Sequence, residues 1–343
     1  MSFSFFRPSS RPKSPAELVR AIRDSLVALD AKTVAEVQAL EKALEEVDKN
    51  FLSMRQMLLG DGDVEPIPDQ VSQITLEVCK EGVLDLFVHK LPVLGWDARK
   101  DLVHCWGTLL RQKVGSSYCC VGYIENHSEL LEFLVTCYDN KEIALNCGNM
   151  LRECIKYPIL AKYMLESASF ELFFKFVDLP SFDIASDAFA TFKDLLTKHE
   201  TMVSEYLNAN YEKFFELYEM LLTSANYVTR RQSLKLLLEF LLESPNARIM
   251  VRYISEVRNL KIMMTLLKDP SKNIQISAFH VFKVFVANPN KPLEIISILV
   301  KNHEKLLMLL HSLPVNKDDE QFEEERGILI KEIERLSSIS EVC

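Results

Sequence analysis

The sequence predicts an all-α protein in which similar helical units stack side by side. The observations behind this are a helical segment that recurs at a steady interval, a shortage of glycine, and prolines between the helices. Long helices are predicted to begin near Ile143, Ile184, Val228 and Ile274, at steps of about 41, 44 and 46 residues. Such steps are typical of armadillo and HEAT repeats. We therefore expect an armadillo/HEAT-like right-handed helical-repeat solenoid that forms one elongated, curved domain.

A second, shorter helix is predicted before each long one. These segments are residues 130–135, 171–177, 213–222 and 260–267. One such unit cannot bury its apolar face alone, so neighbouring units must stack. Prolines 180, 245, 270 and 289 fall where helices should begin or end, and Ser181 and Ser271 are predicted N-caps.

The N-terminal region also has helical signals. Ser14-Pro15-Ala16-Glu17 has a capping hydroxyl, a proline in the first helical position and a glutamate three residues after the serine. We expect one helix to about Leu29, another over 33–59, a connection over 60–69 and repeats thereafter. A last helix is predicted over 327–336. The domain is then expected to span 14–336, between a flexible segment 1–13 and a loose tail 337–343.

Composition excludes several classes of function. The chain has nine glycines, none between Gly148 and Gly327, and lacks the glycine-rich loops that bind nucleotide phosphates. A formal charge of −9 and a pI near 5.4 argue against nucleic-acid binding. The longest apolar run is too short to span a bilayer, so we expect no direct membrane insertion.

We expect no catalytic, metal or cofactor site. The eight cysteines have no CxxC pair, so reduced thiols that fill the core of a cytoplasmic protein are expected. A cysteine site assembled in space remains an alternative. The acidic run that includes Asp318 and Asp319 is interpreted as solvated surface, and His280 as a packed helix residue.

A candidate binding surface lies on the predicted helix 226–243. Tyr227, Arg231, Lys235 and Leu238 follow i, i+4, i+8 and i+11 spacing and share one face, opposite Leu236 and Phe240. A solvated basic face explains the spacing equally well. The inner surface of a solenoid is its usual binding surface, which favours a role in binding.

Residues 261–268 combine methionine and leucine with lysines, and Lys301 follows on a later helix. Core packing explains most of this pattern. Because Met263 and Met264 are adjacent on a helix, they point in different directions and need not both be buried. A partly exposed methionine beside lysines suits an aromatic, acidic peptide.

Four blocks carry a resemblance to a known family, and it extends over the whole chain. They are EIALNCGNMLREC (142–154), FDIASDAFATFKDLLTKH (182–199), NYVTRRQSLKLL (226–237) and AFHVFKVFVANPNKP (278–292). With these blocks the chain resembles the calcium-binding protein 39 family, also called the mouse-protein-25 scaffolds. Despite that name, the sequence has no EF-hand-like loop, and calcium binding is not predicted.

The resemblance implies a non-catalytic scaffold that binds and allosterically activates sterile-twenty or germinal-centre-type protein kinases or pseudokinases. It assigns a concave contact surface to Phe182, Tyr227, Arg231 and Lys235. It assigns a pocket for a Trp-Glu-Phe-like partner tail to Lys261, Met264, Leu267, Lys268 and Lys301. We expect a monomer when the chain is alone. The alternative is a generic armadillo-type adaptor for peptide or protein cargo, without kinase activation.

Overall fold

The structure, a computed structural model, describes residues 12–29, 37–62, 64–313 and 320–342. Across these residues the regular elements are helices, with two isolated β-bridges. The prediction of an all-α helical-repeat fold is confirmed. Parts of four predicted segments lie outside the described residues: residues 1–11 of the N-terminus, 33–36 of the second helix, 63 of the connection, and 343 of the tail. Asp318 and Asp319 lie outside them as well.

The described residues group into two compact units. The first reaches from the N-terminal side to Phe176 and includes Ser181–Thr191. Its helices are α1 (Pro15–Ala28), α2 (Val37–Leu59), α3 (Pro68–Lys80), α4 (Val83–Lys90), α5 (Trp96–Arg111), α6 (Cys119–Asn126), α7 (Glu129–Thr136), α8 (Ala144–Ile155), α9 (Pro158–Glu166), α10 (Leu172–Phe176) and the first part of α11 (Phe182–Thr197).

The second unit contains Val177–Pro180 and the chain from Phe192 onward. Besides the rest of α11, its helices are α12 (Glu200–Ala209), α13 (Tyr211–Leu222), α14 (Tyr227–Leu242), α15 (Ala247–Tyr253), α16 (Val257–Leu266), α17 (Lys272–Ala287), α18 (Leu293–Lys301), α19 (His303–Ser312) and α20 (Glu320–Val342). The prediction of one domain over 14–336 stays a prediction.

Each repeat has three helices rather than the two predicted. The long helices α8, α11, α14 and α17 and the shorter helices α7, α10, α13 and α16 occupy the predicted segments. The additional helices α9, α12, α15 and α18 follow the long ones. They are only 7 to 10 residues long, too short to give a clear helical periodicity.

Successive long helices pack against each other within each unit. In the first unit α5 packs on α8, and the buried Trp106 donates a hydrogen bond from Nε1 to Met150 O at 3.2 Å. In the second unit α14 packs on α17 and α17 on α20. The rings of Phe214, Tyr218 and Phe240 are fully buried there, with centroids 5.4 to 6.0 Å apart. Burial removes the apolar surface of these rings from water, so the aromatic contacts stabilise the second unit.

The N-terminal helices already belong to the stack of the first unit, earlier than predicted. Helix α2 packs against α5, just as α5 packs against α8. The predicted connection 60–69 is also shorter, because Pro68 is the first residue of α3. A backbone N–H at the first helical position has no acceptor inside the helix, so proline, which lacks an N–H, loses no hydrogen bond there.

The predicted capping box at the start of α1 is confirmed. Ser14 Oγ accepts a hydrogen bond from Glu17 N, and Ser14 N donates to Glu17 Oε2 at 2.8 Å. Ser271 occupies the N-cap position of α17, but its side chain makes no capping hydrogen bond. A side-chain cap is present at α14, where Asn226 Oδ1 accepts a hydrogen bond from Val228 N at 2.9 Å.

Replacing the capping hydroxyl should destabilise α1. We expect Ser14→Ala to lower the free energy of unfolding by about 1 kcal/mol, since Glu17 N then loses its partner. Urea denaturation measures the change, and Ser14→Asn, which keeps a capping oxygen, is the matched control. A Ser14→Ala protein as stable as the wild type would show that the cap contributes nothing.

The last helix is longer than predicted at both ends. It spans Glu320–Val342, whereas the sequence indicated 327–336. The N-terminal extension places Phe322 on the same face as Leu329, Ile333 and Leu336, and all four are buried. Within the described ranges, no helix has the length and apolarity needed to cross a bilayer.

Candidate functional site

One face of α14 carries the predicted binding residues of the second unit, and we call Tyr227, Arg231 and Lys235 the α14 stripe. Tyr227 and Lys235 are exposed and Arg231 is half-buried, whereas Leu236 and Phe240 are buried. Helical periodicity alone therefore assigned the two faces of α14 correctly. The stripe presents an aromatic ring and two cations to the surface of this unit.

Tyr227 is held in place by the next long helix. Its hydroxyl accepts a hydrogen bond from Asn273 Nδ2 on α17 at 3.2 Å. Hydrogen bonds from Asn273 and Ser271 hold the pKa of Tyr227 below its usual range. The ring is 37% exposed and so remains accessible to a partner.

The two adjacent arginines of α14 differ in role. Arg230 donates from Nη1 to the carbonyl oxygens of Ser224 and Ala225, and its Nη2 lies 3.3 Å from Asp269 Oδ2. These bonds tie the start of α14 to the loop before α17, so Arg230 is structural. Arg231 forms no ion pair with any residue that the structure describes.

The charges of the α14 stripe are available to a partner. Glu239, one helical turn after Lys235, pairs with Lys193 at 2.7 Å instead. Within the described part of the chain, neither Arg231 nor Lys235 has a carboxylate partner. A guanidinium and an ammonium beside an aromatic ring suit a surface that carries carboxylates.

Phe182, the fourth residue assigned to the concave surface, belongs to the first unit. It is the first residue of α11, and 66% of it is exposed. A large exposed phenyl ring at a helix start is open to contact with a partner. Its relation to the α14 stripe stays a prediction.

The two adjacent methionines of α16 point in different directions, as expected. Met263 is fully buried, whereas Met264 is half-buried. Leu267 has no exposed surface and packs in the core, so in this structure it contributes support rather than a contact surface. Lys261, Lys268 and Lys301 are exposed.

A cavity of about 870 Å³ lies between α13, α16 and the starts of α14 and α17. Leu222, Ile262 and Leu266 provide apolar lining. Lys261 and Thr265, one turn apart on α16, line the cavity from one side. Lys268, in the turn that follows this helix, lines it as well. Its size and lining are sufficient for one or two large side chains of a peptide.

The cavity carries more positive than negative charge. Glu219 is paired with Arg258, and Asp269 with Arg230, so both lining carboxylates are neutralised. Among the described residues, Lys261 and Lys268 have no acidic partner. The cavity can therefore take an apolar side chain together with a carboxylate.

The structure separates the predicted tail-pocket residues into three groups. Lys261 and Lys268 line the cavity, Leu267 lies beneath the surface, and Met264 and Lys301 do not line it. Helix α16 also contacts α18, which ends at Lys301. Sequence reasoning missed Glu219, Arg230 and Arg258, although it did name Lys261 and Lys268, which line the cavity.

The described residues contain no group of three or more histidine, cysteine or acidic side chains that can hold a metal ion. His280 packs against Phe279 and Phe322, with ring centroids 5.6 and 5.9 Å apart, and its Nδ1 lies 3.8 Å from Glu325 Oε2. It is therefore a packed helix residue, as predicted.

The chain is similar in sequence to several known proteins. A sequence profile described as Mo25-like matches residues 4–337. A calcium-binding protein 39-like protein of Mus musculus is 46% identical over 96% of both chains. An Mo25-like protein of Schizosaccharomyces pombe is 43% identical over 98% of this chain and 100% of its own. A putative MO25-like protein of Arabidopsis thaliana is 42% identical over 95% and 96%.

Similar solved structures include a computationally designed armadillo repeat protein for modular peptide recognition. It is 14% identical, covers 80% of this chain and 100% of its own, and has a TM-score of 0.44. This likeness is weak, and the all-α fold is shown by the helices themselves. The profile match and the identities, by contrast, extend over nearly the whole chain. The chain therefore belongs to the Mo25-like family.

Proposed function

We propose that this chain is a non-catalytic scaffold that binds and activates protein kinases or pseudokinases of the sterile-twenty, or germinal-centre, class. Membership of the Mo25-like family supports a scaffold-type protein. The finer assignment comes from the resemblance in sequence. As further proposals, we place the chain in the cytoplasm, monomeric when alone, with no nucleic-acid partner.

One observation carries this proposal: next to apolar surface, the second unit presents cations that have no acidic partner among the residues the structure describes. Arg231 and Lys235 lie beside Tyr227, and Lys261 and Lys268 lie beside an apolar cavity. The whole chain nevertheless has a formal charge of −9. Unneutralised cations within an acidic protein support binding of a partner that supplies carboxylates.

The cavity would bind an aromatic, acidic tail of the partner. Burying one Trp or Phe ring removes about 150 to 250 Å² from water, worth about 4 to 6 kcal/mol. Ordering the tail consumes part of this free energy, so the tail alone would bind no tighter than about micromolar. A second contact at the α14 stripe would raise the effective concentration of the tethered tail and so strengthen the complex.

Activation would be a shift of population and would need no catalytic group from this chain. A surface that binds only the active arrangement of a kinase stabilises that arrangement by its differential affinity. In kinases the arrangement depends on a Lys–Glu ion pair that positions the phosphates. Binding to the α14 stripe would then favour the kinase form in which this pair is intact.

Charge reversal at the cavity tests the tail-binding site. Lys268→Glu should weaken binding of a fluorescent peptide that ends in Trp-Glu-Phe by roughly tenfold, because a carboxylate replaces an unpaired cation. Fluorescence anisotropy measures the affinity. The matched control is Lys331→Glu, an exposed lysine of α20 that does not line the cavity. Equal affinities for all three proteins would refute the assignment of the cavity.

A kinase assay tests the wider proposal. Arg231→Ala should weaken capture of a purified sterile-twenty-class kinase, Lys268→Glu should weaken binding of its tail, and both should reduce activation. Capture of the kinase without any change in its activity would favour the adaptor alternative. Failure of the wild-type chain to capture the kinase would contradict the proposed partner class.

A further inference from the structure

Two cysteines of the first unit bring their thiols into contact although they are 41 positions apart in the chain. Cys79 lies in the last turn of α3 and Cys120 in the first turn of α6. Their Sγ atoms are 3.5 Å apart, at hydrogen-bonding distance for sulfur. The packing of α3 on α6 holds this arrangement.

The distance suits formation of a covalent bond. A disulfide has an S–S length of about 2.0 Å, so the sulfur atoms must approach by roughly 1.5 Å. Small rotations of the two side chains cover such a distance. A third thiol, Cys119, is adjacent in sequence, but its Sγ lies 3.9 Å from Ser117 Oγ. The geometry therefore favours Cys120 over Cys119 as the partner of Cys79.

The two thiols differ in accessibility, as a reactive pair requires. Cys79 is half-buried and Cys120 is fully buried. The hydrogen bond from Cys120 lowers the pKa of the Cys79 thiol, while the same bond and burial raise that of Cys120. Cys79 is therefore more accessible to solvent than Cys120 and loses its proton more readily. Both properties suit it for the first reaction with an oxidant.

We propose that Cys79 and Cys120 form a reversible intramolecular disulfide on exposure to hydrogen peroxide, so that the α3–α6 contact is a site of oxidative modification. The Cys79 thiolate attacks one peroxide oxygen, the O–O bond breaks, and Cys79 becomes a sulfenic acid with release of water. The Cys120 sulfur then attacks the Cys79 sulfur, and a second water leaves. Overall, two thiols and one peroxide give one disulfide and two waters.

A second pair of cysteines in the same unit provides an internal comparison. Cys137 and Cys147 also lie close enough for each thiol to shift the pKa of the other. Both are buried, however, with exposures of 8% and 0%. If contact between thiols were sufficient, this pair would oxidise equally fast. If access also matters, as the structure indicates, Cys79 and Cys120 should react first.

The test uses the full chain, treated with a small excess of hydrogen peroxide under native conditions. We expect a loss of two hydrogens in the intact mass, restored by dithiothreitol. Digestion with trypsin and then with a glutamate-specific protease gives three separate peptides. One contains Cys79, one contains both Cys119 and Cys120, and one contains Cys137. The first two should be linked, and fragmentation should locate the bond at Cys120. The Cys137–Cys147 pair should oxidise roughly tenfold more slowly.

Variants separate this proposal from general oxidation of the chain. Cys79→Ser changes a half-buried side chain, keeps the fold, and should abolish the disulfide. Cys119→Ser and Cys137→Ser should both retain it at the wild-type rate. A bond between Cys79 and Cys119, no loss of mass, or faster oxidation of Cys137 and Cys147 would each overturn the proposal. None of these outcomes depends on kinase binding.

Discussion

Gly148→Ala should lower the free energy of unfolding by about 3 kcal/mol, although alanine is the better helix former. Gly148 lies within α8, where an added Cβ would overlap both Asp187 Oδ2 and the hydroxyl of Tyr138. Urea denaturation of the two proteins measures the difference.

The loss is large because the obstructing groups are held in place. Tyr138 donates a hydrogen bond to Asp187 Oδ2 at 2.8 Å, and Arg152 Nη2 lies 2.8 Å from Asp187 Oδ1. Burial, and then the neighbouring Asp187 carboxylate, raise the pKa of Tyr138, which therefore stays protonated as a donor. To admit a methyl group, Asp187 must move, and its bonds to Tyr138 and Arg152 weaken in a partly buried site.

A matched control and a second background make this test specific. Gly122 also lies in a helix, but an added Cβ there meets no atom within 4 Å. Gly122→Ala should therefore be neutral or stabilise by up to about 1 kcal/mol. In an Asp187→Ala background the obstructing carboxylate is gone, so Gly148→Ala should cost much less there. An equal cost in both backgrounds would show that the overlap is not the cause.

The sequence predicts local features of the fold but not contacts between distant residues. The buried and exposed faces of α14 could be predicted from periodicity, because successive residues are about 100° apart around a helix, and Leu236 and Phe240 are buried as expected. The sequence did not predict why residue 148 is glycine, because the reason is the position of Asp187 against it. That contact joins residues 39 positions apart, and no local pattern reports such a distance.

The candidate site was predicted in part for the same reason. Residues 261–268 combine methionine and leucine with lysines, a pattern that suited an aromatic, acidic peptide, and Lys261 and Lys268 do line the cavity. The cavity also needs Glu219, Arg230 and Arg258, which come from three different helices. The partner of Arg230 is Asp269, which identifies Arg230 as structural. Spacing had already placed Arg231, and not Arg230, on the face that Tyr227 and Lys235 share.

Glu332→Gln should destabilise the protein by about 2 to 3 kcal/mol at neutral pH, because it leaves a buried cation without its counter-charge. Lys291, only 5% exposed at its side chain, donates to Glu332 Oε1 at 2.7 Å. Arg335 Nε donates to Glu332 Oε2 at 2.8 Å. These bonds join α20 to the segment before α18, so their loss should be visible in urea denaturation.

The cost should also depend on pH. Hydrogen bonds from Arg335 and Lys291 lower the pKa of Glu332 from 4.5 to about 2. A carboxyl whose pKa is lowered by folding contributes its full stability above the unfolded pKa and loses it as the pH falls through the folded pKa. The contribution is therefore complete above about pH 5, decreases from about pH 4.5 downward, and is lost near pH 2.

We expect the difference between wild type and Glu332→Gln to be smaller at pH 3.5 than at pH 7 by about 1 kcal/mol, because the protonated acid and the amide are nearly equivalent neighbours of Lys291. Glu334→Gln is the control, since it removes the same charge from an exposed position of α20 and should change stability by less than about 0.5 kcal/mol. A cost for Glu332→Gln that is the same at both pH values would mean that the ion pair contributes through packing and not through charge.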